Sequence, residues 1–299
     1  MKLMFSGKSA VLKRLKSVTL QRVIMMAVAV VGVGIAVYPP AASWLTDRAQ
    51  QSQIDAYAKH IESASSDELD GLLKKARDYN ESLPNGPLQD PFSASGETPE
   101  LATRDYLKQM KVVDTDVMAE LNVPSAKINL PIYHGTGASS LDRGVGHLFG
   151  SSLPVGGEGT HSVLTGHSGL PNGAMFTSLH GVKKGDTFTI SALGETIYYR
   201  VDQIKVVLPD DTTHLALEKN KDLVTLITCT PVNVNTHRLL IRGERIPAPT
   251  KKSELVSAAT KAEFPWWIFP PIVVLGGISA ILFWPNKKVR QQRRVAPSV

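Results

Sequence analysis

The sequence predicts a mostly β domain, an antiparallel barrel or sandwich preceded by a few helices and carried between two membrane-spanning segments. Three observations carry this expectation. Two long stretches, Val23 to about Leu45 and Phe264 to Trp284, hold no charged residue. Each is flanked on its outer side by a basic tail without acids. Between them, from about Asp105 onward, short runs rich in β-branched and aromatic residues are broken by Gly, Pro and Asn, the punctuation of strands and turns.

In chain order, residues 1–22 bring Lys2, Lys8, Lys13, Arg14, Lys16 and Arg22 to one side of the first apolar stretch. About twenty residues rising 1.5 Å each cross roughly 30 Å of hydrocarbon, so residues 23–45 suffice for a span. The basic start, the apolar run Val23 to Tyr38 and the small residues Ala41, Ala42 and Ser43 also fit a cleavable signal peptide. The uncleaved anchor is the reading adopted.

Residues 46–83 are polar with helical spacing, and Ser65 followed by Glu68 marks a capped start to a helix ending near Tyr79. Pro84, Asn85-Gly86-Pro87, Asp90-Pro91-Phe92, Gly96 and Pro99 then exclude a helix or a central strand, so 84–100 reads as a loop. Strands are expected at Ala126 to Tyr133, His161 to Thr165, Asp186 to Ser191, Thr196 to Val207, Leu223 to Cys229 and Arg238 to Arg242. The domain therefore spans about 105–247, and residues 248–263, rich in Lys, Ser and Ala, form a tether.

The second span, 264–284, has Trp266, Trp267 and Trp284 at its ends, where indoles favour the headgroup zone. Pro270-Pro271 would kink it or delay its start. A buried core helix is the alternative that these ends disfavour. Lys287, Lys288, Arg290, Arg293 and Arg294 follow in 285–299, so the positive-inside rule puts both termini in the cytoplasm and 46–263 outside.

Charge excludes one class of partner. The chain has 33 Lys and Arg against 27 Asp and Glu, but eleven of the bases sit in the two tails. The remainder has 22 bases against all 27 acids, a balance of −5. A phosphate-backbone partner, and so a nucleic acid, is not expected.

Chemistry centres on the one thiol. Cys229 ends the run Thr225-Leu226-Ile227-Thr228-Cys229. A single Cys is most often a small buried hydrophobe, yet an unused thiol outside a membrane is a liability. Thr230 to Thr236 form a loop leading into His237-Arg238-Leu239-Leu240-Ile241-Arg242. If the flanking strands pair as a hairpin, Cys229 and Arg238 reach the same rim, where a guanidinium can hold a thiolate or a developing oxyanion. His167, in Thr165-Gly166-His167-Ser168-Gly169, suits a general acid; His161 and His237 are rivals that spacing does not dismiss. The scattered His and lone Cys give no metal cluster, and no phosphate-binding or dinucleotide motif is present, so no cofactor is expected.

Thr-Leu-Ile-Thr-Cys at 225–229, Thr-Gly-His at 165–167 and Asn-Thr-His-Arg-Leu-Leu-Ile-Arg at 235–242 resemble the sortases, over about Asp105 to Ile246. Gly-Leu-Pro at 169–171, the second span and the upstream Asp90-Pro91-Phe92 look like class C, the pilus-assembling type. The resemblance implies a closed β-barrel and a cysteine transpeptidase with Cys229 as nucleophile, Arg238 as oxyanion stabiliser and His167 as acid. It implies cleavage of an LPXTG-like sorting signal between Thr and Gly and transfer of the acyl group to a pilin Lys amine. It also implies a lid, with Phe92 over Cys229 and Asp90 pairing a basic group. Partners would be pilin or surface-protein precursors at the membrane. Ser168 departs from the Arg common after the His in class C, a difference not expected to touch the chemistry. A housekeeping-type sortase using cell-wall peptide, a cysteine protease and a non-enzymatic membrane scaffold are the alternatives.

Overall fold

The computed structural model describes residues 6–84, 86, 88–92, 100–112, 115–170, 175–249 and 264–284. The chain divides into two compact units, Met1–Ala41 with Phe264–Val299, and Ala42–Glu263. The basic tail 285–299, nearly all of the tether 248–263 and Pro171 lie outside the described residues.

The first unit consists of the apolar helices. Helix α1 spans Ser6–Ser63, and the unit boundary falls within it. Its apolar part exposes Val23, Ile24, Met25, Val28, Val31 and Ile35, a distribution that suits lipid on all sides. The C-terminal segment begins with a 3₁₀ turn at Trp266–Ile268 and continues as a helix over Phe269–Phe283. The two prolines sit in its first turn, where a missing N–H costs nothing, so they delay the helix rather than kink it. Both helices are long and apolar enough to cross a membrane.

The second unit is a closed eight-stranded barrel with helices ahead of it. Helix α2 (Ser66–Ser82) starts at the expected cap: the Ser65 hydroxyl accepts from the Glu68 amide at 3.2 Å. Its buried residues, Leu73 and Ala76, are three apart on one face. The Tyr57 hydroxyl donates to the Met118 carbonyl and accepts from the Leu193 amide, holding the end of α1 against the barrel. Asn80 grips Leu153 by both backbone groups, at 3.1 and 2.7 Å. Helix α3 is Glu100–Tyr106.

The strands are β1 (Val117–Val123), β2 (Ile128–His134), β3 (Val145–His147), β4 (Thr160–Thr165), β5 (Thr187–Ala192), β6 (Glu195–Val207), β7 (Asp222–Thr230) and β8 (His237–Ile246). They close in the order β1-β2-β3-β4-β7-β8-β6-β5. The barrel is mixed, which corrects the antiparallel expectation: β2 pairs β3, and β4 pairs β7, in parallel. Parallel neighbours need a crossover. Residues 135–144, with the short helix α4 (Ala138–Leu141), supply the first; 166–221, carrying β5 and β6, supply the second. Hydrophobic runs locate strands but not their direction. Strand β1 was not expected because Val-Met-Ala-Glu-Leu-Asn-Val is buried on both faces and lacks the period-2 signal.

Candidate active site

Alternation along two strands sets up the site. In β7, Val224 and Leu226 enter the main core, whereas Ile227 joins a smaller cluster with Leu148, Val163, Val207, Leu215 and Leu240. Cys229 lies two residues beyond Ile227 and therefore on the same face. In β8, Leu239 and Ile241 enter the core and Leu240 the smaller cluster, so Arg238 shares that face. The register puts Cys229 directly opposite Arg238, and Nη1 of the guanidinium stands 3.6 Å from Sγ. Cys229 is 8% exposed.

The segment bearing His167 follows β4 and is tied to the end of β7. The Gly166 amide donates to the Ile227 carbonyl at 3.1 Å. The Thr228 hydroxyl donates to the Gly166 carbonyl, and the Ser168 hydroxyl to the Cys229 carbonyl, each at 2.7 Å. The Phe176 amide donates to the carbonyl of His167 itself. Gly166 is required by space rather than by backbone freedom, since a Cβ there would lie 2.8 Å from the Phe176 ring. Gly169, at φ +76°, does need the freedom of glycine.

The rival histidines fall elsewhere. His161 is buried at the far end of β4, its ring nitrogens bonded to the Ala216 carbonyl and the Thr225 hydroxyl. Thr225 is four residues from Cys229, about 13 Å along a strand. His237 opposes Thr230 and alternates away from the face of Arg238.

Residues 88–92 lie over this rim. Asp90 pairs Arg238 through both carboxylate oxygens, at 2.9 Å to Nε and 2.8 Å to Nη2. The two side chains are each 10% exposed. The Phe92 ring has its centroid 4.9 Å from the guanidinium carbon and 5.9 Å from the His167 ring. Pro91 is buried, and Leu88 packs with Phe92 on the smaller apolar cluster. The structure thus brings Cys229, Arg238, His167, Asp90, Pro91 and Phe92 to one rim, and it adds Thr228, Leu88 and Ser168, the last marked in the sequence only as a departure from class C.

Burial pushes the Cys229 thiol up; Arg238 pulls it down and Asp90 pushes it up again. The Asp90 hydrogen bonds raise the already high Arg238. With Asp90 in place, the cation that could hold a thiolate is paired to a carboxylate, and burial and Asp90 both favour the protonated thiol. Among the described residues no group of three His, Cys, Asp or Glu side chains is arranged to hold a metal ion.

Barrel and rim define a closed mixed β-barrel that carries a cysteine at a strand end beside an arginine paired to a carboxylate. The sortase domain model matches residues 121–246. Sortase D of Bacillus subtilis is 32% identical over 129 residues, covering 42% of this chain and 62% of that protein. The chain spans 62% and 63% of the first two curated relatives it matches. Among solved structures, sortase C-1 from Actinomyces oris is 48% identical with a TM-score of 0.59, covering 61% of this chain and 99% of the other. Streptococcus pneumoniae sortase C, described as informative on catalysis and pilin substrate specificity, is 37% identical with a TM-score of 0.60, covering 66% and 98%. The chain belongs to the sortase family. Within it, the chain groups with the class C sortases.

Proposed function

We propose that the protein is a membrane-anchored cysteine transpeptidase that polymerises pilin. The observation that carries this reading is the direct cross-strand pairing of Cys229 with Arg238, with the guanidinium 3.6 Å from the sulfur. Among the described residues, nothing else on the rim combines a nucleophile with a fixed cation.

In this scheme the thiol proton passes to His167 once the loop lifts. The thiolate attacks the Thr carbonyl carbon of an LPXTG-like sorting signal, forming a C–S bond while Arg238 holds the oxyanion. The C–N bond to Gly breaks and His167 delivers its proton to the leaving amine. A Lys amine of a second pilin then attacks the thioester, His167 takes its surplus proton, and the C–S bond breaks to leave an isopeptide. Asp90 and Phe92 act as a lid that keeps water and stray peptides from the thiolate.

The two apolar helices fit membrane anchoring. Basic tails favour both termini in the cytoplasm and the barrel outside. Anchoring in one plane with membrane-bound precursors raises the effective concentration of both substrates. The test is partition of the acyl group. A Lys-bearing pilin domain added to enzyme and an LPXTG-type precursor should divert product into an isopeptide-linked dimer. Release of free acid alone would mark a protease, and transfer only to cell-wall peptide a housekeeping role.

A further inference from the structure

The parallel pairing of β4 with β7 ends at Thr165 opposite Ile227, and the Gly166 amide makes its last backbone bond, to the Ile227 carbonyl. Continuing a parallel ladder would bring the Cys229 amide to the Gly166 carbonyl and the Ser168 amide to the Cys229 carbonyl. The same two carbonyls are instead met by hydroxyls: Thr228 Oγ1 on Gly166 and Ser168 Oγ on Cys229, both bonds buried and 2.7 Å long. Side chains have taken over the sheet's hydrogen bonds for one further step. His167, between the two bonded residues, is thereby released from the pleat while its neighbours on both sides stay fastened to the cysteine strand. Its own carbonyl is held from the other direction by the Phe176 amide at 2.9 Å.

We infer that Ser168 is a positioning residue for acyl transfer: its hydroxyl, fastened to the Cys229 carbonyl, sets the distance and aim of the His167 imidazole relative to the thiol. This rests on the transpeptidase reading given above. Without the Ser168 bond the segment keeps its ties at Gly166, at the His167 carbonyl and, through the Thr177 hydroxyl at 2.8 Å, at the Gly169 amide. Among the described residues, however, no other hydrogen bond from 168–169 fastens it to the cysteine strand, and misplacement of an acid by about 1 Å can cost on the order of a hundredfold in rate. Thr at 168 retains the donor; Ala does not. The Ala change also strands the Cys229 carbonyl, so stability falls in either case and cannot by itself decide the matter.

The experiment compares the wild-type chain with Ser168→Ala and Ser168→Thr, using an LPXTG-type peptide and hydroxylamine as acceptor. Expected for Ser168→Ala is a fall in kcat of about tenfold to a hundredfold with KM within about twofold. The pH–rate profile should also be displaced, and Ser168→Thr should restore both. Equal kcat and an unmoved pH profile in folded Ser168→Ala overturn the positioning role, as does failure of Ser168→Thr to rescue. If neither the wild type nor a folded Asp90→Ala variant forms an acyl adduct, the transpeptidase reading fails first, and the two failures are told apart by that control.

Discussion

Removing the Asp90 carboxylate should convert a latent thiol into a reactive one. Asp90 donates no proton; it accepts two charge-assisted hydrogen bonds from Arg238, at 2.9 and 2.8 Å, with both side chains nearly buried. Such bonds contribute about 1.5–3 kcal/mol each. Both groups regain water when the loop lifts, so the closed state is favoured by roughly 2–3 kcal/mol through this pair. An Asp90→Ala change should therefore raise the open-to-closed ratio by about 30- to 150-fold. It also removes a charge that holds the Cys229 proton on and frees the guanidinium that draws it off. Two readouts follow from one assay, the rate of Cys229 alkylation by iodoacetamide against pH. At neutral pH the rate should rise at least about tenfold, and the midpoint of the profile should move to lower pH. An unchanged rate and midpoint would refute the coupling of lid and thiol.

Other outcomes follow from the same geometry. Phe92→Ala removes a ring over the Arg238 guanidinium, a contact of about 0.5–2 kcal/mol, and should speed alkylation severalfold, less than Asp90→Ala. Arg238→Lys keeps the charge but loses the fork; acyl transfer should fall by about 10²–10³ with little change in thermal midpoint. Gly166→Ala drives a methyl into the Phe176 ring and should cost about 1–3 kcal/mol of stability by denaturant titration, with loss of transfer. His147 is fully buried between Tyr106 and Ser152, and burial lowers its pKa from 6.5 to about 4. The unfolded chain takes up that proton at about 6.5 and the folded one resists until about 4, so acidification through this window favours unfolding by roughly 3 kcal/mol. The thermal midpoint should fall between those pH values, and a His147→Gln variant should flatten the decline.

Much of the site was legible because its parts announce themselves locally. A thiol at the end of a β run, a seven-residue loop and an Arg at the start of the next run give a hairpin whose register can be reasoned out, and Cys229 does face Arg238. The cap at Ser65 was legible for the same reason, because both partners lie within one helical turn. What sequence could not supply depends on distant pairings. The partner of Asp90 is 148 residues away, and the bond from Ser168 to Cys229 spans 61. Ser168 looked incidental because a hydroxyl shows its use only when the acceptor beside it is known. Strand direction was equally hidden: the β4 run reads the same whether β7 lies parallel or antiparallel to it.

The most direct measurement is the mass of the intact protein after mixing with an LPXTG-type peptide, in the wild type and in Asp90→Ala. The account predicts a gain equal to the peptide's acyl portion, removed by hydroxylamine, mapped to Cys229 and absent from Cys229→Ala. No gain in a folded Asp90→Ala variant, or a gain that persists in Cys229→Ala, would contradict it.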